Sequence, residues 1–411
     1  MQRSSGSLLT LVYCASFLYQ LSLNTYGPFL PIFSANLGAS YLEIGIIGLA
    51  GSLVQVPTSL VFGRLSGRLP VKRLMWLAVA LAASTIGLLS VVQNVSEIVV
   101  LLLLLGLGSG TFWPIADAFV SEIAVAQPRE KVLGRYSASW GAGLLVGPLL
   151  GGYVVTYLGY RAGFLVSASI VGLCLAVVVL GIIPHYSGRP IRQEVRPDRV
   201  EWGAVASSRP NRLVVASLAG VNSFVLGMIY VVFPRYAEGL SIAPLQLGVL
   251  FSTYAVARLI LFLSSHRISM SGIIRSLGLS AGLLVVSGAI LGSTSSFFVF
   301  LFAFVLLGIS AGISIPAIMN LFARTDSGGA MTRTMGVYEA VSGGGIVSGS
   351  FTGGAVANYV TPAAPYFLAS ALTLASLPLI LLAGRGGGSG GRRLGEQAGS
   401  PPPRLPVQRT A

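Results

Sequence analysis

Charge is scarce in this 411-residue chain. Only 9% of its residues are Asp, Glu, Lys or Arg, against 54% hydrophobic. A soluble domain carries roughly 25% charged residues. The shortfall excludes an ordinary soluble domain and points to repeated membrane crossing. Cysteine is scarcer still. Cys14 and Cys174 both lie inside apolar runs, which excludes a disulfide framework and a thiolate metal site. The two histidines, His185 and His266, fall in polar connections, and no His, Cys and carboxylate cluster has metal-ligand spacing. No nucleophile and base stand in a recognisable arrangement, so an enzyme is not expected. Gly343, Gly344 and Gly345 lie in an apolar run with no Lys-Ser/Thr after them, so there is no phosphate-binding loop and no sign of ATP-driven work. Acidic residues number 12 against 26 basic, a net charge of +14. The basic residues sit between apolar runs rather than on one polar domain. That pattern fits membrane topology and not nucleic-acid binding.

What the chain does have is apolar length. Stretches of ~20 residues can cross a bilayer as helices. Twelve are expected, at 8–32, 43–62, 74–93, 97–120, 132–157, 162–183, 212–234, 244–264, 276–293, 297–321, 335–360 and 364–383. The start of the chain, with Arg3 and an apolar run, resembles a signal peptide but has no convincing cleavage site and reads as the first crossing. Residues 1–183 form one six-helix half and 212–383 the other, joined by a polar linker at 184–211. The Gly-, Pro- and Arg-rich tail at 384–411 has no apolar period and reads as disordered. Arg and Lys gather at 64–73, 129–135, 189–212, 267–275 and 324–333, whereas the opposite set of connections holds Arg161 and Arg235. By the positive-inside rule the termini and linker are cytoplasmic, in a multi-pass protein of the cell membrane.

The sequence repeats itself at an offset of 202–203 residues. Pro31 pairs with Pro234, Gly45 with Gly248, and Gly106, Gly110 and Pro114 with Gly308, Gly312 and Pro316. Gly134, Tyr136, Gly143, Gly147, Gly151 and Gly152 pair with Gly336, Tyr338, Gly345, Gly349, Gly353 and Gly354. Repeats with an even number of helices keep both halves in the same orientation, the arrangement of a parallel repeat about the membrane normal.

Gly143, Gly147 and Gly151 stand four residues apart, one stripe of a helix that another backbone can approach closely. Pro148 within it predicts a bend. The spacing Gly134, Gly143, Gly147-Pro148, Gly151-Gly152 resembles the helix-5 antiporter motif of the major facilitator superfamily of secondary transporters. Gly63, Arg64, Leu65, Arg68, Lys72 and Arg73 resemble that family's loop between helices 2 and 3, with Gly67 where the family has aspartate. Glu122 and Arg129 match the family's pattern after helix 4, and Arg135 completes a cytoplasmic gate. The arginine that drug antiporters often carry in helix 4 is Leu102 here. The resemblance covers 8–383 and implies an all-α fold of twelve helices in two pseudo-symmetric halves, working by alternating access. It also implies that the glycine stripe belongs to the sliding interface between the halves.

Charges inside spans are functional candidates by default. Asp117, Arg258 and Glu339 are the three, with Arg258 and Glu339 expected to pair at similar depth. Glu43, Glu97 and Glu238 read as solvated loop charges. By the resemblance, a central cavity draws on Asn24, Tyr26, Gln55, Trp113, Trp140, Asn222, Tyr230, Tyr254 and Asn320. Aromatic walls with few polar groups suit apolar or cationic organic solutes. The expected function is proton-coupled efflux of small hydrophobic or drug-like solutes by a monomer, with a proton gradient and no cofactor. A uniporter or symporter of a polar or anionic solute, anchored on Arg258, and a non-transporting membrane sensor are the alternatives.

Overall fold

A computed structural model describes residues 2–65, 71–123, 129–185, 210–263, 273–325 and 331–385, with only the backbone of some residues beside these breaks. The central part of the linker and the tail lie outside the described residues. Among the described residues the regular structure is all helical. Twelve long helices follow in order: α1 Gln2–Tyr26, α2 Tyr41–Leu65, α3 Val71–Leu88, α4 Val95–Ile123, α5 Arg129–Leu158, α6 Tyr160–Ala176, α7 Pro210–Gly239, α8 Pro244–Leu263, α9 Ile273–Ser293, α10 Phe297–Thr325, α11 Met331–Tyr359 and α12 Ala364–Arg385. All but α3 and α11 contain candidate spans by length and composition, with α1 and α6 each counted together with its continuation, Gly27–Asn36 and Val177–Ile182. The other two complete the bundle through their packing.

Local chemistry sets several boundaries. Pro28 cannot donate a backbone hydrogen bond, so α1 passes through a 3-10 turn at Gly27–Phe29 before a last helical segment, Leu30–Asn36. The first crossing therefore runs past the expected residue 32. The third ends at Leu88 rather than at 93, because the chain must turn to reach a cap. Asn94 Oδ1 accepts from the Glu97 backbone N–H at 3.0 Å, while Glu97 accepts from the Gln93 N–H at 2.9 Å. The same reciprocal device opens α2, with Ser40 and Glu43 exchanging bonds of 2.8 and 3.2 Å. Glu43 and Glu97 are thus helix caps and not idle loop charges, and Glu238 pairs with Arg235. One residue, Gly159, joins α5 to α6 at φ +83°, a left-handed conformation that favours glycine.

The packing obeys the repeat. In the first half α1 packs on α5 and α6, α4 on α2 and α3, and α3 on α6. The second half repeats each contact six helices on: α7 on α11 and α12, α10 on α8 and α9, and α9 on α12. Two extensive contacts join the halves, α5 with α8 and α2 with α11. They are each other's images, since the repeat turns α5 into α11 and α2 into α8. At the end of the bundle that carries Tyr41, the cores of the halves merge. Phe29, Ile32 and Val155 of the first half join a cluster built on Phe233, Phe251, Phe300 and Phe304 of the second.

Candidate functional site: a central cavity beneath two glycine crossings

The glycine stripe of α5 lies against α1 of its own half. A methyl group at Gly143 would meet the Leu21 N and Phe17 O at 2.7 and 2.8 Å, and one at Gly147 the Asn24 Cβ at 2.5 Å. One at Gly151 would strike the Thr25 carbonyl. The stripe of α11 does the same to α7, through Gly345, Gly349 and Gly353 against Gly220, Phe224 and Met228. This corrects the expectation that the stripe belongs to the sliding interface. A 4-residue spacing keeps these glycines on one face of a helix, and that face is spent on intrahalf packing.

The next glycine, one residue round the helix, faces the other half. Gly152 meets the Pro244 carbonyl and the Gly248 Cα, and Gly354 meets the Tyr41 carbonyl and the Gly45 Cα. In turn Gly248 lies on the carbonyl of Pro148, and Gly45 on that of Ser350. Four glycines thus make two backbone-to-backbone crossings at the Tyr41 end.

Between the halves lies a cavity of about 360 Å³. Asn24, Tyr26, Gln55, Tyr230 and Tyr254, all expected on sequence grounds, line it together. Ser52, Ser109, Phe251 and Pro148 line it as well and were not expected. Only depth along α2, α4, α5 and α8 would have flagged them. None of its lining residues is charged. Leu102, where the related group often has arginine, forms part of the wall. Tyr230 and Tyr254 meet edge to face, 5.3 Å between centroids at 86°. Arg258 stands one helical turn on from Tyr254 in α8.

Other expected site residues fall elsewhere. Trp113 packs on Tyr19 and Phe112, 5.8 and 5.3 Å between centroids, and is a core residue of the first half. Asn222 is tied to Ser314 at 3.4 Å, between α7 and α10. Trp140 and Arg258 share a separate pocket of about 30 Å³ between α5 and α8. Asp117 is open on one side and accepts a hydrogen bond of 2.8 Å from the Tyr136 hydroxyl. The side chains of Asn320, Glu339, Arg64, Glu122 and Arg129 lie outside the described residues, as does the whole of Arg68, and only the helical backbone of Gly63 is described. The expected Arg258–Glu339 pair and the charged gate fall there. Arg73 and Arg135 are exposed, and Lys72 is half-buried.

Serine and threonine between the halves gave no sequence signal. Ser252 of α8 donates to the Leu145 carbonyl at 2.8 Å, beside the break that Pro148 makes in α5. Thr156 of α5 accepts from the Leu245 N–H at 3.0 Å and so caps the first turn of α8.

Two six-helix halves around a shared cavity, with almost every wall apolar, define a polytopic membrane transporter. The chain belongs to the Major Facilitator Superfamily, whose family model matches residues 12–269 and 215–408. It is 22% identical over 371 residues to a multi-drug resistance efflux pump PmrA homolog of Lactococcus lactis, across 86% of this chain and 89% of that one. It is 25% identical over 374 residues to the staphyloferrin B transporter of Staphylococcus aureus, across 87% and 88%. A mutant crystal structure of the nucleoside transporter NupG superposes with a TM-score of 0.78 at 11% identity, covering 92% of this chain and 99% of that one, which shows the fold.

Proposed function

We propose that this protein exports small amphipathic organic compounds from the cell in exchange for protons. The observation that carries this reading is the cavity. About 360 Å³ of space with aromatic walls and a few amides and hydroxyls holds a drug-sized body by shape, and it demands few specific hydrogen bonds. The spacing of Gly143, Gly147-Pro148 and Gly151-Gly152 supports antiport, as does the printed name of the Lactococcus relative. The basic loops support an orientation with both termini and the linker in the cytoplasm. On that orientation the glycine crossings close the outer face, and the halves rock about the cavity. Asp117 is the carboxylate proposed to carry the proton, since Leu102 leaves the helix-4 wall without a cation.

A second reading, gradient-independent or symport passage of a polar or anionic solute, is favoured by one observation. Arg258 stands one helical turn on from Tyr254 of the cavity wall. Purified protein in liposomes with an imposed pH gradient separates the two. Proton movement driven by added organic solute is the expected result. Solute flux indifferent to the gradient supports the second reading, and no flux for any of a broad solute panel supports a non-transporting sensor.

A further inference from the structure

The large cavity and the small pocket beside it share a wall. Leu144 lines both. Tyr254 lines the first, and the next residue, Ala255, lines the second. Arg258, one helical turn on from Tyr254, lines the second as well. The two spaces are therefore compartments of one site, divided by a leucine side chain and a tyrosine ring. Their chemistry differs. Among the described residues, no charged residue lines the large compartment and no carboxylate lines either. The small one holds a guanidinium beside the indole of Trp140.

We infer that the site selects organic anions: an apolar body in the large cavity, with one carboxylate or similar group directed past Leu144 to Arg258. This rests on the proposed role of the large cavity as the solute site. The volumes suit the division, because about 30 Å³ admits a small polar group and little more. Arginine suits the task, since its five N–H donors form a planar fork matched to a carboxylate. A cation gains nothing here. It would sit near a fixed positive charge with no carboxylate among the described wall residues to balance it. Shape alone separates similar apolar bodies poorly, whereas a buried charged partner separates ligands that carry its complement from those that do not.

The test uses three probes of nearly one shape: 1-naphthylacetate, the neutral 1-naphthylacetamide, and 1-naphthylmethylammonium. Binding is measured by equilibrium dialysis at neutral pH to the full chain in nanodiscs of phosphatidylcholine, which supply no anionic lipid. The wild type should bind the anion at least tenfold more tightly than the amide, and the cation most weakly. Arg258→Gln should remove the preference for the anion while leaving amide binding within about twofold, which also reports that the variant is folded. Arg258→Lys should keep part of the preference, since it keeps the charge and loses the fork. Equal binding of anion and amide by the wild type overturns the inference and leaves the cavity reading standing. So does an equal loss of both probes in Arg258→Gln. Binding of none of the three overturns the cavity reading itself.

Discussion

The two crossings between the halves each use a pair of glycines but not the same bonds. At α5–α8, Gly152 meets Gly248, and two side chains also reach across: Ser252 to the Leu145 carbonyl and Thr156 to the Leu245 N–H. At α2–α11, Gly354 meets Gly45, and no hydrogen bond crosses among the described residues. The repeat explains the difference. Leu49 stands where Ser252 does, and Ser350 stands where Pro148 does. Ser350 donates to the Ile346 carbonyl of its own helix at 2.8 Å, so its hydroxyl is spent inside its own half. Pro148 has no N–H to offer, and the helix interrupted there is the one that accepts a bond from the other half. One crossing is pinned and the other is bare. A bare crossing parts without stranding a polar group in the membrane, whereas each hydrogen bond lost on parting costs ~0.6 kcal/mol on average. On the alternating-access reading proposed above, α5–α8 would be the pivot and α2–α11 the contact that separates.

The largest expected effect comes from filling a crossing. Gly248→Leu would drive a side chain into the Pro148 carbonyl, and Gly45→Leu into the Ser350 carbonyl. Both variants should insert into the membrane and lose at least tenfold of transport in liposomes. Near-normal flux in either would mean that the halves need not meet there. Gly147→Leu comes next. It strikes Asn24 within one half and should lower thermal stability as well as flux, a loss of a few kcal/mol typical of overpacking. The crossing variants should leave stability of the isolated fold less affected, so a thermal melt compares the intrahalf stripe with the interhalf contact directly.

Polar groups carry smaller effects. Ser252→Ala removes one cross-half bond, worth ~0.5–1.5 kcal/mol, and should shift the balance between the two access states severalfold. Leu49→Ser offers the bare crossing the donor it lacks and should slow separation there. If the two variants act alike on the access equilibrium, the contrast between pivot and separating contact is wrong. The smallest effect on binding is expected from Asp117→Asn. Asp117 lies outside the cavity, so solute binding should change less than twofold. The acceleration of efflux by an inward proton gradient should nevertheless disappear. Asp117→Asn with full gradient dependence would leave the carboxylate as a static partner of Tyr136.

Much of the fold was legible because it rests on repetition and composition. Apolar runs of bilayer length gave the twelve helices, and the offset of Gly143 from Gly345 and of Gly45 from Gly248 gave the two halves. Less of the site was legible, for a geometric reason. Which way a small residue faces changes by about 100° per position along a helix. Gly151 and Gly152 are neighbours in sequence yet serve different partners, α1 and α8. Trp113 and Asn222 look like cavity residues by type and depth, but they face Tyr19 and Ser314 instead. Ser252 and Thr156 carried no signal at all, since an isolated hydroxyl in an apolar helix usually bonds its own preceding turn. Tyr230, Tyr254 and Arg258 were each visible by type. What the structure adds is the edge-to-face contact of the Tyr230 and Tyr254 rings, a feature of side-chain direction alone.

The central claim is that the halves exchange closure between the two ends of the bundle, with the bare crossing parting as the basic end draws in. Paired spin labels measure it. One pair, at Asn36 and Thr361, spans the halves at the Tyr41 end, and another, at Lys131 and Leu213, spans them at the opposite end; all four residues are exposed. On adding a transported solute or changing pH in nanodiscs, the first distance should lengthen in the same fraction of molecules in which the second shortens. Two distances that stay fixed, or that lengthen together, would contradict the account.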